Sequence, residues 1–309
     1  MTLNRRNLLA MGLLATPVLA SAASAEGSFP GRLVRYPLFP SAHIRPRQVV
    51  VWLPADYEES GKTYPVIYMH DGQNLFDPRE AYGGVTWGIA EALSAPRRPG
   101  GIPKAIVVGV YNSSLRHREY MPQAIYGALP ARVRAAFDGS VGGSPISDSY
   151  VRFLADELKP FIDRTYRTKP QPDQTSLMGS SMGGLISFYG LMERPDCFGR
   201  AACLSPHWPF IVPNMIGANT PTPKETQAAV SGYVNSRGPD LKGRVLYLDR
   251  GDQTLDALYQ PYQDPIIENL KGRRGLKLSY RAFPGAAHNE ASWKARLDTP
   301  LAVLLLGAD

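Results

Sequence analysis

The sequence predicts an α/β fold, in which helices cover both faces of a mostly parallel sheet. Short continuous apolar runs, typical of strands buried on both faces, alternate along the chain with helix-length segments. The 309 residues are 44% hydrophobic and 20% charged, which is ordinary for a globular protein and sufficient for one large core. The chain contains no internal repeat, so we expect one α/β domain.

Eight strands are predicted from the apolar runs. They cover residues 32–40, 47–53, 65–70, 104–110, 174–178, 201–205, 244–249 and 276–283. The first two alternate between apolar and polar residues, and we expect them to pair antiparallel. Helices are expected at residues 84–95, from a cap at Ser147 or Asp148 to residue 164, at 182–193 and at 290–306. Strands that alternate with helices in this way form a mostly parallel sheet.

The first 25 residues are predicted to be a cleaved export signal. Arg5 and Arg6 precede an apolar run over residues 8–20, and Ala23-Ser24-Ala25 follows it. A charged start, an apolar stretch too short to span a membrane and a small-residue cleavage site are typical of such signals. The paired arginines favour twin-arginine export, with a general secretory signal as the alternative. We therefore expect residues 26–309 to form a single periplasmic or secreted bacterial domain without stable membrane insertion.

Charge and cysteine content exclude several other classes. The net charge is +7, but the basic residues are scattered, which does not indicate nucleic-acid binding. The two cysteines, Cys197 and Cys203, have no metal-ligand spacing, and we expect neither a metal nor an organic cofactor. They could form a disulfide, but Cys203 falls in a predicted buried strand, which favours free thiols.

Two connections are longer than ordinary loops. They cover residues 111–147 and 207–243, and the second is rich in proline. Long excursions at the carboxyl ends of parallel strands usually build the substrate pocket. We predict that role for both, with a plain surface decoration as the alternative.

A G-x-S-x-G motif centred on Ser181 is the strongest candidate for chemistry. A predicted strand precedes it and a predicted helix follows it, so the serine must occupy a sharp, strained turn. We expect Gly179 and Gly183 to let the two chain segments pass closely. The motif alone is weak, because glycine is common, but a later acid and histidine in that order make it specific.

A serine hydroxyl needs a neighbouring base, and the chain has five histidines. His288 follows the last predicted strand by five residues, which returns it over the carboxyl edge of the sheet. The others precede the sheet, end a strand or lie in the long connections: His43, His70, His117 and His207. Placement along the chain therefore favours His288 as the base.

An acid must orient that base, and two aspartates follow the predicted strand at residues 244–249. Asp256 is favoured over Asp252, because Asp252 follows the turn glycine Gly251 too closely to reach inward easily. The order Ser181, Asp256, His288 is that of the α/β-hydrolase fold.

The attack of a serine on a carbonyl creates an oxyanion that needs fixed donors. The backbone N–H of Met182, directly after the nucleophile, is expected to be one. The second is expected from the loop after the strand ending at His70, with Gln73 favoured and Gly72 next. A plain turn at residues 71–74 is the alternative interpretation.

Four segments together resemble the bacterial putative-esterase family of α/β hydrolases, which includes enterochelin esterases, feruloyl esterases and the esterase D group. They are residues 64–76, 179–184, 254–263 and 288–293. The resemblance covers nearly all of the chain after the export signal, and it implies an α/β-hydrolase fold with esterase activity.

The resemblance assigns roles to two residues directly, because Ser181 and His288 match the family's nucleophile and base. Relatives commonly place the acid three residues after the glycine, where this chain has Thr254. The family pattern therefore does not choose between Asp256 and Asp252.

The combined prediction is a secreted serine carboxylic-ester hydrolase that forms an acyl-enzyme on a small-molecule or saccharide-linked ester. Trp208, Trp87 and Arg116 are candidates for substrate contact. The alternative is a packing role for Trp208 and an internal salt-bridged loop for Arg116. The chemistry leaves open an acyltransferase that uses another alcohol in place of water. A non-catalytic binding protein of the same fold is the interpretation from a different class.

Overall fold

A nine-stranded sheet runs through the part of the chain described by the computed structural model, which covers residues 18–19, 29–95, 101–238 and 241–307. The strands are β1 (Val18–Leu19), β2 (Arg32–Phe39), β3 (Arg47–Leu53), β4 (Val66–His70), β5 (Ile106–Val110), β6 (Thr175–Ser180), β7 (Arg200–Leu204), β8 (Val245–Arg250) and β9 (Lys277–Ala282). All eight predicted strands are present. The predicted export signal lies outside the described residues, apart from β1.

The strand order is β1-β2-β3-β5-β4-β6-β7-β8-β9. The strands β1, β2 and β3 pair antiparallel, as predicted for β2 and β3, and β3 also pairs antiparallel with β5. From β5 to β9 every neighbouring pair is parallel. The predicted α/β-hydrolase fold with a mostly parallel sheet is therefore confirmed.

The helices fill the connections between the strands. They are α1 (Tyr57–Ser60), α2 (Ile89–Ser94), α3 (Arg116–Tyr120), α4 (Gln123–Gly127), α5 (Ala131–Val141), α6 (Ser147–Arg152), α7 (Lys159–Thr165), α8 (Met182–Glu193), α9 (Pro223–Ser236), α10 (Gln260–Lys271), α11 (Glu290–Ala295) and α12 (Asp298–Leu306). A π-helical segment, Phe153–Leu158, joins α6 to α7. The long connections predicted at 111–147 and 207–243 contain α3, α4 and α5, and α9, respectively.

One predicted helix starts later than expected. The helix predicted at residues 84–95 begins at Ile89, because Gly84 and Gly88 both take positive φ angles, 71° and 65°, which interrupt a right-handed helix. The predicted cap at Ser147 or Asp148 is also wrong. The residue before α6 is Ile146, and no side chain caps this helix.

The helix predicted at residues 290–306 is broken in the structure. Its first part, α11, ends at Ala295, and α12 begins at Asp298. Arg296 leaves the helical conformation with φ −113° and ψ 11°, and its guanidinium bonds the carboxylate of Asp249 inside the protein. Pro300 provides a local reason for the break, because it lacks the N–H that a continuous helix would donate to the carbonyl of Arg296, and it fits in the first turn of α12.

Two hydrophobic cores lie on opposite faces of the sheet. Alternate residues of β4 contribute to each: Val66 and Tyr68 join one core, and Ile67 and Met69 join the other. This alternation follows from the two-residue period of a strand that is buried on both faces. The first core packs α6 to α10 against the sheet, and the second packs α2, α11 and α12.

The parallel strands bring their carboxyl ends to one edge of the sheet. The turns that leave β4, β6, β7, β8 and β9 therefore meet there, which is where open α/β sheets usually bind ligands. Cys197 and Cys203 are free thiols, as the buried position of Cys203 in β7 favoured. Within the described ranges, no helix combines the length and apolar character that crossing a bilayer requires.

Candidate active site

Ser181 occupies the sharp turn between β6 and α8. Its backbone has φ 56° and ψ −122°, a conformation that non-glycine residues rarely adopt. Its N–H donates to the carbonyl of Leu204 at 2.9 Å, which ties the turn to the neighbouring strand. The strained serine turn that the motif predicts is therefore present, with the hydroxyl at the N-terminus of α8.

The two glycines of the motif have different roles. A Cβ at Gly179 would lie 2.7 Å from the carbonyl carbon and oxygen of Gly183, so only glycine fits there. A Cβ at Gly183 would meet nothing closer than 3.5 Å, at Asp71 Oδ2 and His70 Cβ. The expectation that close approach demands glycine on both sides of the serine is correct for Gly179 and wrong for Gly183.

His288 and Asp256 contact each other next to this turn. The Nδ1 atom of His288 lies 2.6 Å from Asp256 Oδ1. Asp256 sits in a 3-10 turn after β8, its side chain is fully buried, and that of His288 is 11% exposed. Because an ionised carboxylate only accepts hydrogen bonds, Nδ1 carries a proton, and Nε2 is the ring atom left to act as a base.

The Asp256 carboxylate is held by three donors. Burial by itself would raise its pKa, but hydrogen bonds from His288, Ser205 and the Gly251 N–H outweigh burial and lower it below the usual value. The Ser205 hydroxyl and the Gly251 N–H both reach Oδ2, each at 2.6 Å. The carboxylate is therefore ionised at neutral pH and has a fixed orientation.

Asp252 and Thr254 brace the loop that carries the histidine. Asp252 Oδ1 accepts from the Gly285 N–H at 2.7 Å, and Thr254 Oγ1 accepts from the His288 N–H at 2.9 Å. A backbone bridge also joins Gln253 to Ala287. The structure thus places Asp256, and not Asp252, against the imidazole.

The other histidines have different surroundings. Burial lowers the pKa of His70 and of His207 to about 3, so both rings are neutral. His70 Nδ1 contacts the Tyr150 hydroxyl at 2.9 Å, at the end of β4. His117 lies in α3 and His43 lies between β2 and β3.

Tyr259 lies next to Ser181 on this side of the site. Its hydroxyl is near the Ser181 side chain, and its ring packs edge-on against His288 with centroids 5.5 Å apart. The same hydroxyl lies 2.6 Å from His207 Nδ1, while His207 Nε2 lies 2.7 Å from the Ile211 carbonyl oxygen. Since that carbonyl only accepts, Nε2 carries the proton and the Tyr259 hydroxyl donates to Nδ1.

The predicted oxyanion donors lie at two helix starts. Met182 is the first residue of α8, and Gly72 and Gln73 open a 3-10 turn, Gly72–Asn74, directly after β4. Among the described residues, no acceptor is bonded to the backbone N–H groups of Met182, Gly72 or Gln73. These groups are therefore available to a negatively charged oxygen.

Asp71 and Arg116 hold the loop after β4, which is predicted to supply an oxyanion donor. Asp71 has φ 55° and ψ 50°, in the left-handed region, and Arg116 donates to its carboxylate from Nε and Nη2, at 2.7 Å each. Asn112 adds a third bond to Asp71 at 2.6 Å. Burial would raise the pKa of Asp71, but the Arg116 charge and hydrogen bonds outweigh burial and lower it. Arg116 was predicted to contact substrate, but two of its three guanidinium nitrogen atoms bond Asp71 instead.

The tryptophans predicted to contact substrate are buried. Trp208 is fully buried and donates from Nε1 to Gln263 Oε1 at 3.0 Å, and Trp87 packs against Trp293 with centroids 5.9 Å apart. Neither presents a surface to a substrate in this structure, and both pack in the interior, which was the stated alternative for Trp208.

A mainly apolar cleft of about 400 Å³ lies between the second long connection and the segment that follows Asp256. Its walls include Pro209, Ile216, Leu258, Pro261 and Tyr262. This connection therefore lines a cleft next to the turn that carries Asp256. Within the described ranges, no cluster of three or more His, Cys, Asp or Glu residues has a geometry that could hold a metal ion.

Several residues of the site were not found by sequence reasoning. Ser205, Arg296 and Asp249 have no local motif that marks them, because their main partners are distant in sequence. Tyr259 belongs to the family-like segment 254–263, but that resemblance gave it no role. The sequence did point to Asp71, because it is the first residue of the loop predicted to supply an oxyanion donor.

The fold and this constellation first define the class: an α/β hydrolase with a serine at a strand-to-helix turn. The family model described as "Putative esterase" matches residues 41–304, and the chain belongs to this esterase family. The family resemblance seen in the sequence is thereby confirmed.

Named relatives include esterases. The ferri-bacillibactin esterase BesA of Bacillus subtilis strain 168 is 32% identical over 159 residues, which are 48% of this chain and 51% of BesA. The uncharacterized protein YbbA of the same organism is 24% identical over 159 residues, covering 52% of this chain and 56% of YbbA. The chain thus spans about half the length of these curated relatives.

Solved structures share the fold. An IroE-like serine hydrolase from Shewanella oneidensis has a TM-score of 0.66 at 22% identity, covering 87% of this chain and 79% of the other. The enterobactin esterase FES from Shigella flexneri has a TM-score of 0.60 at 17% identity, with 90% and 60% covered. At such low identities these likenesses establish the fold alone.

Proposed function

We propose that this protein is a serine carboxylic-ester hydrolase in which Ser181 is the nucleophile, His288 the base and Asp256 the orienting acid. The observation that carries the proposal is the 2.6 Å contact of Asp256 Oδ1 with His288 Nδ1, beside a serine in a strained turn at a helix N-terminus. Membership of the esterase family supports the reaction class.

Acylation begins with the attack of Ser181 Oγ on the ester carbonyl carbon. The serine proton moves to His288 Nε2, which is free because Asp256 keeps the ring proton on Nδ1. The imidazolium then carries a positive charge that the Asp256 carboxylate stabilises. When the tetrahedral intermediate collapses, the same proton passes from Nε2 to the departing alkoxide, which leaves as the alcohol.

Deacylation repeats these steps with water. His288 Nε2 takes a proton from a water molecule that attacks the acyl-serine, and the acid is released as Ser181 regains its proton. In both halves the carbonyl oxygen becomes negative. The N–H groups of Met182 and Gln73, with Gly72 next, are the donors proposed for it, and each such donor contributes about 3 kcal/mol to the transition state.

The substrate is proposed to be a small-molecule or saccharide-linked ester. Relatives are named for ferri-bacillibactin and enterobactin, and a solved structure of the fold is a ferulic acid esterase. Siderophore, feruloyl, acetyl-sugar and short aliphatic esters therefore form the first panel to test. The apolar cleft beside Leu258 and Tyr262 is the proposed place for the apolar part of the substrate.

Export is part of the same proposal. Arg5 and Arg6 ahead of an apolar run, with Ala23-Ser24-Ala25 after it, support a cleaved signal and a periplasmic or secreted product. Comparing the N-terminal sequence of the protein from the bacterial cell with Glu26 tests this directly.

Two variants test the chemistry. Ser181→Ala and His288→Ala should each lower the turnover of p-nitrophenyl acetate by at least about 10⁴-fold, because either one removes the nucleophile–base unit. A fluorophosphonate probe should label the parent and not the Ser181→Ala variant.

The matched control is His43→Ala, since His43 is exposed and lies far along the chain from the constellation. It should keep the parent's turnover. Full activity of the His288→Ala variant would assign the base elsewhere, and an unlabelled parent that turns over no ester in the panel would remove the proposed function.

A further inference from the structure

Ser205 stands directly behind the proposed triad acid. It follows the last residue of β7 and has φ 42°, in the left-handed region, and its side chain is fully buried. Its backbone N–H donates to Asp249 Oδ1 at 2.9 Å, which secures this unusual conformation. A buried residue held in such a backbone conformation is tied to its neighbours on all sides.

The Ser205 hydroxyl has three partners, and their chemistry fixes the direction of every bond. Trp293 Nε1 lies 3.2 Å from Ser205 Oγ, and Arg296 Nη2 lies 2.8 Å from it. Both of these groups only donate, so they occupy the two lone pairs of the hydroxyl oxygen. The single hydroxyl proton must therefore point to the remaining partner, Asp256 Oδ2, at 2.6 Å.

Arg296 anchors this hydroxyl from the far side. Its Nε and Nη2 atoms bond the two carboxylate oxygens of Asp249 at 3.0 Å each, and the Tyr247 hydroxyl donates to Asp249 Oδ2 at 2.9 Å. The Arg296 and Asp249 side chains are 3% and 0% exposed. The ion pair therefore holds Ser205 at a fixed point between β8 and the end of α11.

We infer that Ser205 is a positioning residue for the reaction proposed above, because its directed hydrogen bond holds the Asp256 carboxylate so that Oδ1 faces His288. The Arg296–Asp249 pair supports this residue from behind. The inference rests on the proposed function. It extends the hydrogen bonds behind His288, which then run from Arg296 through Ser205 and Asp256 to His288.

A purely structural role is the rival explanation, since any buried hydroxyl with three partners stabilises its surroundings. The two explanations differ in what the removal of the hydroxyl changes. A structural role affects the free energy of unfolding, whereas a positioning role changes the His288–Asp256 bond in the folded protein and kcat with little change in KM.

The test uses Ser205→Ala and Ser205→Gly in the full chain. Both remove the hydroxyl, and glycine also accepts the positive φ, so an effect common to both comes from the lost hydrogen bond. Folding should survive, because Arg296 keeps Asp249 as its partner. We expect kcat to fall roughly 10- to 100-fold in both, as for other lost hydrogen bonds to a charged group.

The second readout is the far-downfield proton resonance of His288 Nδ1–H, which reports the bond to Asp256. It should shift or broaden in both Ser205 variants. The matched control is Ser147→Ala, which removes another fully buried serine hydroxyl, bonded to the Gln123 N–H at 2.9 Å. It should leave both kcat and the resonance unchanged.

Unchanged kcat and an unchanged resonance in both Ser205 variants would overturn the inference. A fall in kcat of the Ser205 variants no larger than that of Ser147→Ala would also overturn it. The resonance is measured without a substrate, so it tests the positioning role even if the parent hydrolyses no ester, and an inactive parent counts against the proposed function alone.

Discussion

Two Asp–Arg pairs flank Ser181, one partly exposed and one buried, and burial and charge shift the pKa values of their carboxyl groups differently. On the oxyanion side, after β4, Arg116 binds Asp71, and on the triad side, at the end of β8, Arg296 binds Asp249. Both arginines donate from Nε and Nη2 to the two carboxylate oxygens. The Arg116 side chain is 24% exposed and Arg296 only 3%.

The carboxylates respond in opposite directions. Burial raises the pKa of Asp249, and the Arg296 charge does not fully offset it. For Asp71 the Arg116 charge and hydrogen bonds outweigh burial, and its pKa is lowered. A deeper pair gains more Coulomb energy but loses more hydration, so the same two residue types favour ionisation on one side and oppose it on the other.

The two pairs also support different parts of the site. Asp71 has the left-handed conformation that starts the loop after β4, which is proposed to supply an oxyanion donor. Asp249 lies deeper and holds Ser205, which in turn holds Asp256. The triad side is thus supported from within the core, and the oxyanion side from near the surface.

The largest fall in kcat is expected from a substitution of the proposed triad acid, Asp256. Asp256→Asn should lower kcat by about 10⁴-fold, because the imidazole loses the carboxylate that sets its tautomer. Asp252→Asn is the matched control and should lose about tenfold or less, since it only weakens a loop bond to Gly285. Steady-state kinetics on p-nitrophenyl acetate decide the ranking, and the reverse order would assign Asp252 as the acid.

A smaller effect is expected on the oxyanion side from Gly72→Ala. A Cβ there would lie 2.7 Å from the Gly109 carbonyl carbon and 2.8 Å from the Val110 nitrogen, so the loop must move away from β5. We expect kcat to fall by about 10²- to 10³-fold, because one oxyanion donor is misplaced.

The control for this change is Gly139→Ala, where an added Cβ meets nothing within 4 Å. It should keep the parent's kcat. If Gly72→Ala kept it too, the loop after β4 would not supply an oxyanion donor.

The smallest effect, on the order of 1 kcal/mol, should appear in the pH dependence of stability. The pKa of Asp71 is lowered in the folded state, so its contribution to stability is present above about pH 4 and is lost as the pH falls. The difference in unfolding free energy between the parent and Asp71→Asn should therefore shrink on acidification.

Asp249 should show the opposite trend. Its pKa is raised on folding, so its ionisation weakens the folded state as the pH rises from about 4. The parent should thus lose stability relative to Asp249→Asn in that direction. Urea unfolding at a series of pH values measures both differences, and equal slopes for the two variants would show that the pairs do not differ as described.

Much of the fold was readable from local patterns. The run over residues 66–70 is apolar throughout, and the strand there is buried on both faces. The helix predicted at 182–193 has those bounds, since a glycine-rich turn begins it and an apolar helix follows. Two of the errors, at Gly84 and at the break between α11 and α12, arose where a positive φ and Pro300, respectively, interrupt a pattern of apolar residues that continues on both sides.

The candidate site divides in the same way. Ser181, Asp256 and His288 were predicted from a motif and from chain order, and the turn and the imidazole–carboxylate contact have the expected geometry. Trp87 and Trp208 were proposed as substrate contacts, but the structure buries both. An aromatic residue near a strand end looks the same in sequence whether it lines a cavity or packs in a core.

By itself, the sequence determined the order of strands and helices, the strained serine turn and the family, because these depend on the period of apolar residues and on short motifs. Only the tertiary structure decided which aspartate contacts His288, that Ser205 stands behind it, and that two Asp–Arg pairs hold the two sides. These contacts join residues 32 to 91 positions apart, and such pairings depend on burial and on hydrogen-bond partners that no local pattern encodes.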